Sequence, residues 1–181
     1  MNKKIKFIHL LSTTLLVELF MIFLFRFTKS PFSGVQINKW YDKYRFDALL
    51  MDTLSFIIGF YISIFLYKKL KINKKIKNNL NKFLVFLGIV LCVQISHDIL
   101  FYFLIINPYP KNSNIMIDSF KKYADTIKGG AIIGDSFMYI ISIPILYFML
   151  NKSENVNLVT SIVALYILGY MLYQKPLFVK Y

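Results

Sequence analysis

Glu18, Asp52, Asp98 and Asp135 are acids set inside long apolar runs, and His97 adjoins Asp98. A carboxylate at bilayer depth costs on the order of 3 kcal/mol, so such a residue normally faces a helix interior, a partner or water. No lysine or arginine falls inside these runs to neutralise the acids. Like charges close together in a low dielectric cannot all ionise, so protons are retained, a cation is bound or water enters. Four such carboxyls suit a proton relay, a sodium or calcium site, or a two-metal centre. Di-iron bundles use Glu-x-x-His pairs, which this chain lacks, so neither a metal site nor a cofactor is expected. Three structural alternatives stand beside the chemical ones, the first being that Asp98 simply hydrogen-bonds a neighbouring helix. Asp52 and Asp135 would be helix caps if their helices began later, and Arg26 and Arg45 would neutralise Glu18 and Asp52 by bending inward.

The spacing places these acids on polar stripes. Asp52, Ser55, Gly59 and Ser63 fall on one helix face, as do Ala131, Asp135, Met138 and Ser142. Thr14 and Glu18, like Gln94 and Asp98, are one turn apart. Small residues on such stripes let helices approach closely. Adjacent His97 and Asp98 are expected on different helix faces. His9 reads as interfacial, Cys92 as a small apolar filler, Pro144 as a kink, and Gly129-Gly130 as a helix-start turn.

The elements that must position these residues follow from composition. Of 181 residues 57% are hydrophobic and only 17% charged. That is too apolar for an ordinary soluble domain and excludes disorder. One cysteine excludes a disulfide scaffold. The net charge of +13 comes almost wholly from lysine, with only Arg26 and Arg45 as arginines. A nucleic-acid partner would need a basic face on a soluble fold, so none is expected. The partner that the composition demands is the lipid bilayer.

Apolar stretches run over 7–25, 49–67, 83–106, 131–150 and 158–173. A spanning helix needs about 20 apolar residues; the first four qualify and the fifth, at sixteen, is marginal. The first stretch contains Glu18, ends at Arg26 and has no small-x-small site after it, so it reads as a spanning helix rather than a cleaved signal. The expected fold is therefore all-α and polytopic: a four-helix transmembrane bundle plus a fifth spanning helix, forming a single transmembrane domain over 1–181. Lys3, Lys4 and Lys6, together with seven lysines in the 68–82 loop, place the N-terminus and that loop in the cytoplasm.

Two segments on the opposite side, 35–48 and 112–128, carry apolar residues at helical spacing. Ile37, Trp40, Tyr41, Tyr44 and Ala48 recur in the first, and Met116, Phe120, Tyr123, Ala124 and Ile127 in the second. They read as short interfacial helices, with Trp40, Tyr41, Tyr44, Phe120 and Tyr123 as anchors in the headgroup layer and their outer surfaces as docks for protein partners. The two regions 7–67 and 83–150 also align. At a shift of eighty Thr14 meets Gln94, Glu18 meets Asp98 and Trp40 meets Phe120; after a three-residue insertion Ala48 meets Ala131 and Asp52 meets Asp135. An internal parallel repeat, with its axis along the membrane normal, would explain this.

The stretch Pro108-Tyr-Pro-Lys-Asn, then Ile117-Asp-Ser-Phe-Lys-Lys-Tyr-Ala, then Gly130-Ala-Ile-Ile-Gly-Asp-Ser-Phe-Met resembles a motif in uncharacterised multipass membrane proteins of large DNA viruses and their algal or protist hosts. The resemblance covers roughly residues 95–145. It implies a viral or host membrane location and carries no catalytic residue. The sequence thus leads to an integral multipass membrane protein of structural, assembly or membrane-organising role, more readily than to an enzyme. Two alternatives stay open: a proton or cation conductor using the carboxylates, and a membrane-embedded enzyme acting on lipid with His97 as acid and base.

Overall fold

The structure, a computed structural model, describes residues 4–31 and 34–178. Lys3 of the N-terminal lysine group lies outside the described residues. The helices are α1 (Phe7–Phe27), α2 (Val35–Tyr44), α3 (Phe46–Lys69), α4 (Ile72–Lys75), α5 (Asn79–Phe101), α6 (Ile115–Ile127), α7 (Gly130–Met149) and α8 (Glu154–Tyr173). A π-helical turn, Tyr102–Ile106, continues α5. The described residues contain no strand. Among them α1, α3, α5 with its π turn, α7 and α8 are each long and apolar enough to cross a membrane. Backbone polar groups have no partner in lipid, so helices are the form that such apolar stretches must take.

Side-chain caps set three of the helix starts among the described residues. Asn78 and Asn114 cap α5 and α6 with their side-chain oxygens, accepting from Leu80 and from Met116 and Ile117. Helix α8 is longer than the apolar stretch 158–173 suggests. Ser153 caps it by accepting from the Val156 amide, and Glu154 sits in its first turn, where the helix dipole favours an acid. Its polar first turn is satisfied against α1: Ser12 Oγ donates to Asn157 Oδ1 at 2.6 Å, while Asn157 Nδ2 donates to the Met149 carbonyl at 3.1 Å. Lys6 and Glu154 pair at the same end. The segment expected as one surface helix over 35–48 is instead divided. Arg45 breaks it at φ 47°, and Ala48 belongs to the long helix α3.

Helix α1 packs on α3, α7 and α8, while α5 packs on α3 and α7. The helices α1, α3, α5 and α7 therefore follow one another in a ring, with α8 laid on α1. Leu10, Leu15, Met21, Ile22, Phe60, Phe86, Ile143 and Leu146 are fully buried between them. Between α3 and α7 the Phe56 and Tyr139 rings stack at 3.8 Å. Gly59 makes this approach possible: a Cβ there would stand 2.2 Å from the Tyr139 hydroxyl oxygen. The short helices α2 and α6 touch each other and close one end of the ring, α2 resting on α3 and α6 on α7 and the π turn.

Candidate functional site: a carboxyl network beneath the short helices

The helix starts decide how the acids are used. Asp52 lies six residues inside α3 and Asp135 five residues inside α7, so neither caps its helix. The arginines do not neutralise the cluster either. Arg26, only 1% exposed, binds Asp42 at 2.8 Å and the Gln174 carbonyl, while Arg45 lies over the Tyr173 ring at 4.4 Å. The alternatives of caps and inward arginines are thus both excluded. The reason is that helix propagation starts α3 and α7 earlier than hydropathy indicates, and that Asp42 on α2 and the chain after α8 are nearer to Arg26.

The four carboxyls form two pairs. In the first, Tyr41 on α2 inserts its hydroxyl between Glu18 and Asp52, 3.4 Å from Glu18 Oε2 and 3.0 Å from Asp52 Oδ2. Glu18 is 1% exposed and Tyr41 2%, while Asp52 is half-buried. The second pair, Asp98 on α5 and Asp135 on α7, lies on two helices that pack on each other. Gln94 donates to Asp98 from one turn away on α5, and Ser136 donates to Gln94 Oε1 at 2.9 Å, tying α7 to α5. Among the described residues no three or more His, Cys, Asp or Glu side chains are grouped so as to hold one metal ion. The arrangement is two dyads rather than a cage.

Proton counting gives this geometry its meaning. A phenol has one hydrogen, so a full bond from Tyr41 serves one acid, and a proton on Glu18 or Asp52 would let the other acid donate to the Tyr41 oxygen. Tyr41 stays a donor, because burial first, then the acids Glu18 and Asp52, push its phenol well above its ordinary pKa. Tyr123 on α6 is raised in the same way, by burial and then by Asp135 and Asp52.

His97 stands apart from this network. Its side chain is 56% exposed, stacks on Phe101, and meets the cluster only through Nδ1, 3.2 Å from Asp98 Oδ1. Adjacent residues were expected on different faces, yet this contact forms because the imidazole folds back along its own helix. His9 is buried, and its Nδ1 accepts the Lys6 amide. Cys92 does not fill the core: it sits on an exposed face of α5. Of the five aromatic residues expected as headgroup anchors, Trp40 and Tyr41 turn inward and are buried, while Tyr44, Phe120 and Tyr123 are half-buried. Trp40 stacks between Tyr44 at 4.6 Å and Phe120 at 4.5 Å.

Tyr41 is the functional residue that sequence reasoning assigned elsewhere. The signal was present, since its helix turn carries Trp40 and Tyr41 side by side, which a single lipid-facing stripe cannot accommodate. Tyr139 was missed as well, although Gly59 on the facing stripe indicated that something large comes close. No family model, curated protein or solved structure matches the chain.

Proposed function

We propose that the protein is an integral multipass membrane protein whose two carboxyl dyads take up and release protons on the side of α2 and α6. In this reading α1, α3, α5 and α7 form the transmembrane bundle, α8 is a fifth span, and α2 and α6 are interfacial. The observation that carries it is the single Tyr41 hydroxyl set between Glu18 and Asp52, an arrangement that a proton on either acid would complete. Away from the dyads the interior is filled by Phe60, Ile64, Phe86, Val90, Ile143 and Leu146. A packed apolar plug of this kind supports one-sided proton exchange in this conformation over an open channel. The exposed position of His97 gives less support to a histidine–carboxylate acid-base centre acting on lipid.

The repeat belongs to the same proposal. Residues 7–67 and 83–150 are read as two copies about an axis along the membrane normal, each supplying one dyad. Trp40 and Phe120, matched by the alignment, meet with ring centres 4.5 Å apart and planes tilted by 41°, as equivalent residues near such an axis can. The likeness of residues 95–145 to viral and host multipass proteins adds a viral or host membrane as the location.

The test is proton binding by the reconstituted protein. Vesicles holding the full chain, given an acid pulse, should take up more protons than those holding Glu18→Gln/Asp52→Asn/Asp98→Asn/Asp135→Asn. Equal uptake by the folded quadruple variant removes the proton-exchange reading and leaves a structural or assembly role.

A further inference from the structure

Above the dyads, α2 and α6 diverge to leave a cleft of about 520 Å³, within the size range of small-ligand sites. Its chemistry is the reverse of the network beneath it. Lys39 and Lys43 line it from α2 and Lys122 from α6, against one acid, Asp125. Its aromatic lining is Trp40, Tyr44 and Tyr123. Lys43 already bridges the two walls: its Nζ donates to Ser119 Oγ on α6 at 3.0 Å and lies 4.9 Å from the Tyr44 ring centre. Ser119 is in turn 2.7 Å from the Tyr44 hydroxyl. A hydroxyl-bearing wall, an ammonium held by both walls and two more lysines at the same opening make a concave site for a small, doubly charged anion.

We infer that this cleft binds a phosphate monoester. Ammonium groups are point donors that satisfy several phosphate oxygens without the fork geometry of arginine. A monoester carries up to two negative charges, which matches three lysines opposed by a single carboxylate. The aromatic floor accommodates the apolar part of the molecule that bears the phosphate. Two sources present the same group: the headgroup of phosphatidic acid, reaching in from the bilayer, and a soluble ester such as glycerol 3-phosphate. This site goes beyond the proton-exchange reading and does not rest on it.

The chain supplies its own reporter, since Trp40 is its single tryptophan and lines the cleft. The full protein in phosphatidylcholine nanodiscs would be titrated with glycerol 3-phosphate. In a second arm, nanodiscs would contain rising fractions of brominated phosphatidic acid, with brominated phosphatidylcholine as the matched control. A saturating change of Trp40 emission is expected in one arm, and the responding arm names the source. Lys43→Gln/Lys122→Gln should weaken it at least about tenfold, as loss of charge-assisted bonds implies. Lys43→Arg/Lys122→Arg, which keeps the charge, should retain it, and Lys75→Gln/Lys77→Gln at the far loop should leave it unchanged. The inference is overturned if neither arm saturates, if brominated phosphatidylcholine quenches equally, or if the far-loop variant weakens binding as much as the cleft variant.

Discussion

Arg45 and Lys128 share one unusual backbone conformation, at φ 47°, ψ −114° and φ 50°, ψ −125°. Each ends a short helix by donating its amide to the carbonyl four residues back, Tyr41 and Ala124, both at 2.8 Å. Each then leads into a long helix that carries an aspartate seven residues on, Asp52 or Asp135. On the first of these junctions Tyr41, at the helix end, sets its hydroxyl between Glu18 and Asp52.

That conformation suits glycine and strains other residues by about 1–3 kcal/mol. Lys128→Gly should therefore raise stability, by about 1 kcal/mol after the added flexibility of the unfolded chain is offset. Thermal unfolding in detergent measures it, and a lowered melting temperature would show that the Lys128 side chain matters more than its backbone.

The apolar stretches were enough to locate every long helix, and the acids within them marked out the network. Two things were hidden. One was the break at Arg45, because a left-handed junction at a non-glycine residue has no composition signal. The other was the role of Tyr41, because an aromatic residue near a span end satisfies both an interfacial and a buried reading. The early start of α8 was equally invisible: Asn157 is polar, and only its partner Ser12, far away in sequence, makes it a buried residue.

Gly59→Ala should cost about 1–3 kcal/mol, the range for overpacking, because its methyl group would meet the Tyr139 hydroxyl. Tyr139→Phe alone should cost little, since its hydroxyl is a long 3.4 Å from the Phe56 carbonyl. Adding Tyr139→Phe to Gly59→Ala should restore most of the loss. Unfolding of the four proteins in a double-mutant cycle checks this, and strictly additive effects would contradict the contact.

Tyr41→Phe should lower stability at neutral pH by about 1–3 kcal/mol, because buried carboxyls lose a donor. Its alkaline behaviour has a definite sign. The folded phenol is raised above the ordinary value, so above pH of about 10 the unfolded chain binds fewer protons than the folded one and stability falls as pH rises. Tyr41→Phe lacks this contribution and should show a shallower alkaline decline. An identical slope in the two proteins would place the Tyr41 hydroxyl in water.

The proposed orientation is tested by single cysteines in a Cys92→Ser background. Lys75→Cys, next to the lysine-rich loop, and Lys111→Cys, between the π turn and α6, should react with an impermeant maleimide from opposite faces of sealed vesicles. Labelling from the same face would remove the five-span arrangement.

Infrared titration of the reconstituted protein tests the shared protons most directly. A protonated carboxyl has its own C=O stretching band, which shifts in heavy water and disappears when the acid ionises. At neutral pH the band should be present, weaker in Asp135→Asn, weaker in Glu18→Gln, and lost in the variant lacking all four acids. A protein that shows no such band at neutral pH has four ionised carboxylates, and the dyad account is then wrong.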